Sequence, residues 1–178
     1  MVRPRSGIDG TLRFGPEQPG EAAGIAEVHR AAFGGEYEAD VVAGLREGGF
    51  AFASLVARLD TTVLAHVMFS DISVVVDGRT VKAAALAPLA VAEGWRGAGI
   101  GGRLVQMGLE ACAAHGSAVV VVLGDPDYYG RFGFSVAAMA HLDTPYGRGK
   151  LMALELVAGA LAGAGGVVRY PAPFSRAQ

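Results

Sequence analysis

The segment from residue 87 to residue 123 constrains the chain most. A β-rich stretch ending at Val91 runs into AVAEGWRGAGIGGRL, then into an amphipathic helical pattern, and then into AVVVVL. Ile100, Leu104, Met107 and Ala111 are spaced i, i+4, i+7 and i+11, which predicts one buried stripe on a helix closing at His115 and Gly116. The apolar run of residues 118–123 lies between Gly116 and Gly124, as suits a parallel strand covered on both faces. Strand, helix and buried strand together predict a crossover unit within a layered sheet.

The preceding residues read differently. A short strand near residues 11–14 leads to two helices. The first is expected to open at Pro19 and end at Gly34, and the second, carrying Val41, Val42 and Leu45, to end at Gly48. A meander follows, with strands at 54–59, 63–76 and 80–91. Asp77-Gly78 marks a type I′ hairpin, and Pro88 predicts a bulge or open edge in the last strand. Beyond Leu123, Asp125 and Pro126 predict a capped short helix, and residues 134–140 and 151–157 read as closing strands. The Ala- and Gly-rich tail, 158–178, has weak periodicity and no assigned structure. One domain over residues 1–178, with a core at about 11–157, fits a 178-residue chain.

Composition removes several function classes. Residues are 52% hydrophobic and 18% charged, which excludes disorder, and the net charge of −2 gives no field for nucleic acid or an acidic membrane. A single cysteine, Cys112, makes neither an internal disulfide nor a multi-thiolate metal site, and the N-terminus has no apolar core of a secretory signal. A cytoplasmic protein without a metal is the expectation.

The glycine loop has competing readings. Gly97, Gly99 and Gly102 satisfy the spacing of a dinucleotide-binding fingerprint. Its glycines start well past the strand end, however, and too few residues follow for a second mononucleotide half. A P-loop is excluded because Arg103-Leu104 follows Gly102. What survives is a turn whose converging N–H groups and helix start suit phosphate oxygens, with Arg96 and Arg103 adding positive charge.

In that setting Arg96-Gly97-Ala98-Gly99-Ile100-Gly101 resembles the first signature of the GNAT superfamily of N-acetyltransferases. Tyr129-Gly130-Arg131-Phe132-Gly133-Phe134 resembles its second, and LGDPDYYGRFGF is similar to a bacterial branch. The resemblance covers about residues 11–157. It implies an α/β fold with a mixed, mostly antiparallel sheet of six to seven strands. A central parallel pair would splay at the acetyl-CoA site, with helices on both faces. It also implies acetyl-CoA as cosubstrate, held by Arg96, Gly97, Ala98, Gly99, Ile100, Gly101 and Gly102, with Leu89, Ala90 and Val91 along the pantetheine arm. Tyr129 would be the catalytic acid that protonates the leaving thiolate, with Tyr128 as its neighbour in register.

The glutamate that many members carry on the fourth strand is missing from residues 82–87, which leaves Asp71, Ser73, His66 and Glu38 as outside candidates for a base. The acceptor would be a primary amine, in a small molecule or a peptide, entering between residues 35–40 and 141–150. The alternative reading is a non-catalytic acyl-CoA sensor. Neither the acceptor nor the oligomeric state, a homodimer included, is read from the sequence.

Overall fold

The structure is a computed structural model that describes residues 10–146 and 149–176. Its strands in chain order are β1 (Leu12–Pro16), β2 (Ala51–Leu59), β3 (Thr62–Val76), β4 (Arg79–Val91), β5 (Val119–Leu123), β6 (Leu142–Asp143), β7 (Leu151–Glu155) and β8 (Gly166–Arg169). They form one eight-stranded mixed sheet. β1 to β4 make an antiparallel meander, β5 runs parallel to β4, and β7 closes antiparallel on β5. The expected architecture is present, with more strands than the expected six or seven.

Local chemistry explains the turns. Asp77 and Gly78 reverse β3 into β4 with φ of 47° and 79°, the left-handed pair that a type I′ hairpin requires. Helix α1 (Ala22–Phe33) ends at Gly34, whose N–H bonds to the Arg30 carbonyl at 2.8 Å, and α2 (Tyr37–Glu47) follows after three residues. Pro19 lies ahead of α1 in a turn rather than opening it; the helix begins at Ala22.

Helices cover both faces. On one, Ile25 and Val28 of α1 and Val42 and Leu45 of α2 pack with Val56, Met68 and Val74. On the other, α3 (Ile100–Ala114) sets Leu104, Val105 and Cys112 against Leu55, Phe69 and Val120. The alternating valines of β5 feed both layers, Val119 and Val121 into one and Val120 and Val122 into the other. The buried line of α3 is rotated from the expected stripe. Gly108 sits hard against the Phe69 ring, closer than any side chain would permit, while Met107 and Ala111 are only half-buried.

Two further expectations are corrected. Residues 134–140 form a single bridge, Ser135 to Ala153, and a 3-10 turn at Ala137–Met139, not a strand. The tail is integrated: β8 pairs with the distal end of β3, Ser73 to Arg169 through Val76 to Gly166, and a 3-10 turn at Ala172–Arg176 follows. Among the described residues no helix is long and apolar enough to cross a membrane.

The site is created where β4 and β5 part. Their parallel pairing spans only Ala83–Val119 to Ala85–Val121, yet β4 continues to Val91. Opposite Met68, β4 carries the two residues Ala87 and Pro88, joined by a cis peptide, so a bulge marks the split that Pro88 foretells.

Candidate active site

Two cavities flank the split. The larger, about 1140 Å³, is lined by residues 89–91 of β4, by 96, 97 and 99–102 of the glycine loop, and by Tyr128. The smaller, about 580 Å³, is lined by residues 85–89 of β4, Leu123, Gly124 and Tyr129, and by side chains from α2 and the tail. Phe33 and Leu89 border both, so the cavities adjoin at the bulge.

The large cavity is shaped by backbone. Gly97 and Gly99 have φ of 76° and 80°, conformations that L side chains resist, and Gly99 caps α3. The first α3 amide bonded within the helix is that of Arg103, to the Gly99 carbonyl at 3.0 Å. Helix geometry therefore leaves the amides of residues 100–102 without helical partners, at the positive end of the helix dipole. A Cβ on Gly101 would stand 2.8 Å from the Tyr128 hydroxyl, so glycine keeps this floor open. Arg96 ties the loop to the strand, its Nε donating to the Val91 carbonyl at 3.2 Å. Ala98 shares the loop, but its side chain packs toward the core beside α3. Gln106, Trp95, Arg131 and Phe132 also line the cavity. Trp95, Arg131 and Phe132 stand in the two quoted stretches without an expected cavity role, and Gln106 was not expected, though one turn beyond Arg103 on α3 it could have been found by helical spacing.

The two tyrosines face different spaces. Asp125 caps helix α4 (Pro126–Tyr129) through the Asp127 amide at 2.9 Å, and this short turn aims the pair. Tyr128 points to the glycine loop under the Arg131 guanidinium, 4.5 Å from its ring centre. Tyr129 faces the smaller cavity, edge-on to Tyr128 at 4.9 Å and to Phe134 at 5.9 Å, in room left by the absent side chain of Gly124. Burial, and then the neighbouring Tyr128, pushes the Tyr129 phenol above its ordinary value, so the hydroxyl stays protonated at neutral pH.

Of the four outside candidates for a base, only Glu38 lines a cavity at the split. Asp71 accepts from His115 Nε2 at 2.9 Å, and Ser73 pairs with Lys82 and Arg169 at the far end of β3. His66 is sealed in the core between Ser54 and His29. Cys112 is also fully buried; its thiol is pushed up to about 12 by burial and by Asp71, which makes it a packing residue and not a nucleophile. The smaller cavity draws members from a quarter the sequence left unassigned. Tyr37, Glu38 and Tyr146 come from the expected segments, whereas Tyr170 and Phe174 come from the tail. Gly147 and Arg148, within the expected second segment, lie outside the described residues.

Comparison with known proteins bears on this geometry. Residues 16–137 match the family described as the acetyltransferase (GNAT) domain. The chain is 39% identical over 163 residues to an uncharacterised N-acetyltransferase, YhbS of Escherichia coli, covering 90% of this chain and 96% of that one. A crystal structure of the Escherichia coli protein in complex with CoA superposes with a TM-score of 0.84 at 37% identity, covering 98% of this chain and 97% of the other. A GNAT family acetyltransferase from Brucella melitensis in complex with acetyl-CoA gives 0.76 at 31% identity, over 93% and 99%.

Proposed function

The chain belongs to the GNAT superfamily and is an N-acetyltransferase, and from that premise we propose that it carries acetyl from acetyl-CoA to a primary amine across the β4–β5 split. The adjoining of the two cavities at Phe33 and Leu89 carries this reading, because it gives donor and acceptor separate entrances to one meeting point.

The residues fit the cosubstrate. The glycine loop and the start of α3 offer amides to a pyrophosphate, and Arg103 and Arg131 bring positive charge to the same cavity. The edge of β4 past Ala85 has no β5 partner, so residues 89–91 can bond an extended arm as an added strand. When bound, acetyl-CoA supplies an activated acetyl group: the amine nitrogen bonds to the carbonyl carbon, the carbon–sulfur bond breaks, and the sulfur leaves as a thiol once protonated. A β4 amide, that of Leu89 or Val91, polarises the acetyl oxygen. Tyr129 holds its proton on the far side of the split and donates it to the sulfur, and the second proton shed by the nitrogen as the amide forms restores the phenol. Glu38, on the first turn of α2, orients the ammonium and passes its proton toward solvent.

The test is thiol release from acetyl-CoA over a panel of primary amines. Amine-dependent release with acetylated amine as product is expected. Tight acetyl-CoA binding with no amine-dependent release would overturn catalysis in favour of a binding module.

A further inference from the structure

We propose that the smaller cavity takes a primary monoamine with an aromatic or branched apolar body, its ammonium paired with Glu38 inside a cage of aromatic rings. This rests on the acetyl-transfer reading above and names the acceptor class for the same site.

The cavity is built almost wholly of apolar and aromatic surface. Its floor is the bulged stretch of β4 with Val121 and Leu123 of β5. Its walls are Phe33, Tyr37, Tyr129, Tyr146, Tyr170 and Phe174. The rings hold one another: Tyr170 stands edge-on to Tyr146 at 5.0 Å and to Phe174 at 5.4 Å. The Tyr37 hydroxyl donates to the Phe174 carbonyl at 3.1 Å, fastening the tail to α2. This cage is therefore assembled before any ligand arrives, which spares the acceptor the cost of ordering it.

Charge then narrows the acceptor. Glu38 is the one charged side chain among the described lining residues. One ammonium finds a carboxylate and several ring faces, both of which attract it. A second ammonium, as in a polyamine, would have to shed water against apolar walls with no carboxylate to meet it. The carboxylate of an amino acid would be brought toward Glu38, and no cation stands among the described lining residues to answer it. A polyhydroxylated amine would exchange hydration for aromatic carbon. At about 580 Å³ the space suits a ring on a short arm.

The experiment measures initial rates of thiol release at saturating acetyl-CoA with 2-phenylethylamine, phenylalanine and spermidine, for the full chain and for Glu38→Gln. For the unsubstituted protein kcat/KM for 2-phenylethylamine is expected to exceed the other two by about 100-fold or more, the scale set by leaving one polar or charged group unpaired in an apolar pocket. Glu38→Gln should raise KM for 2-phenylethylamine about tenfold, the loss of one charge-assisted contact, with KM for acetyl-CoA unchanged. It should also narrow the ratio to phenylalanine, because removing the carboxylate removes attraction and repulsion together. Any role of Glu38 in moving the proton cancels in that ratio. A higher rate with spermidine or phenylalanine, or an unchanged ratio in Glu38→Gln, would overturn the acceptor class while leaving acetyl transfer standing. No release with these three amines while another primary amine of the panel is acetylated would overturn this inference alone; no release with any amine of the panel, with acetyl-CoA still bound by calorimetry, would overturn the transfer reading and this inference with it.

Discussion

The imidazoles of His29 and His66 meet edge to face, Nε2 of the first 2.8 Å from Nδ1 of the second, and neither is reached by solvent. The chain of bonds beyond them fixes their protons. The Ser54 hydroxyl lies 2.5 Å from a Glu17 carboxylate oxygen, and that carboxylate also pairs with Arg46 at 2.8 Å. An ionised carboxylate only accepts, so Ser54 donates to it and accepts from His66 Nε2 at 2.9 Å. His66 Nδ1 then accepts from His29, whose own Nδ1 is left buried without a partner. Both rings are neutral in the folded protein.

Stability should therefore fall in mild acid. Burial holds His29 down to about 4, and burial, His29 and Arg46 hold His66 well below its ordinary value. In the unfolded chain both titrate near 6.5, so below that pH the unfolded state binds more protons. The stabilisation is complete above about pH 7 and is lost as pH drops from 6.5 toward 4, at up to about 1.4 kcal/mol per pH unit for each ring. Urea midpoints at pH 7.5, 6.5 and 5.5 report it. His29→Gln keeps a donor for His66 without a titrating ring, so it should shed about half of the slope. Equal midpoints at all three pH values would show that the pair does not govern acid stability.

Binding of acetyl-CoA should raise the melting temperature. Linkage gives about 2.7 kcal/mol at a ligand concentration 100-fold above Kd, which for a chain of this size is a shift of roughly 5–10 °C. NADH should do much less, since the glycine loop stands at the start of α3 in a β4–β5 split and not at a tight first turn. A larger shift with NADH would restore the dinucleotide reading.

How much of this was legible follows from what each signal measures. The β4–α3–β5 unit was readable because its apolar run sits between glycines and its loop carries a motif. The Asp77-Gly78 hairpin was readable because its backbone demands those residues. The line of burial on α3 was displaced because periodicity counts side chains, and a helix that approaches Phe69 through Gly108 has no side chain there to count. The tail escaped for another reason. β8 is four residues long and pairs with residues 73–76, some ninety positions away, and with the two-residue β6, so no local pattern could announce it. Tyr170 and Phe174 were lost from the candidate site with it.

Valine at Gly99 and at Gly101 should each abolish acetyl-CoA binding, by different routes. Gly99 has φ of 80°, which a β-branched residue resists, so the cap of α3 would be rebuilt. Gly101 is helical, and its obstacle is steric: a side chain there meets the Tyr128 hydroxyl and fills the cavity floor. Gly165→Val is the control, since the nearest atom to its added Cβ is the His141 carbonyl oxygen at an ordinary 3.6 Å. Calorimetric titration with acetyl-CoA separates them. Normal binding by both loop variants would remove the glycine loop from the site.

Phenylalanine at position 129 tests the proton donor. The ring's packing against Gly124 and Phe134 is retained, and only the hydroxyl facing the smaller cavity is lost. A group that donates its proton as the carbon–sulfur bond breaks acts in the transition state and not on ground-state binding, so kcat should fall by about 100-fold or more while acetyl-CoA affinity holds. Burial keeps the Tyr129 phenol protonated well past neutral pH, so the loss should be the same at pH 7 and at pH 8.5. Tyr128→Phe removes the hydroxyl beside Gly101, in the other cavity. It should leave kcat within a few-fold of the unsubstituted enzyme and act on KM for acetyl-CoA instead. The assay is thiol release at saturating acetyl-CoA with the best amine of the panel. Near-normal turnover by Tyr129→Phe would eliminate it as the acid, and a collapse confined to Tyr128→Phe would move that role across the split to the glycine-loop side.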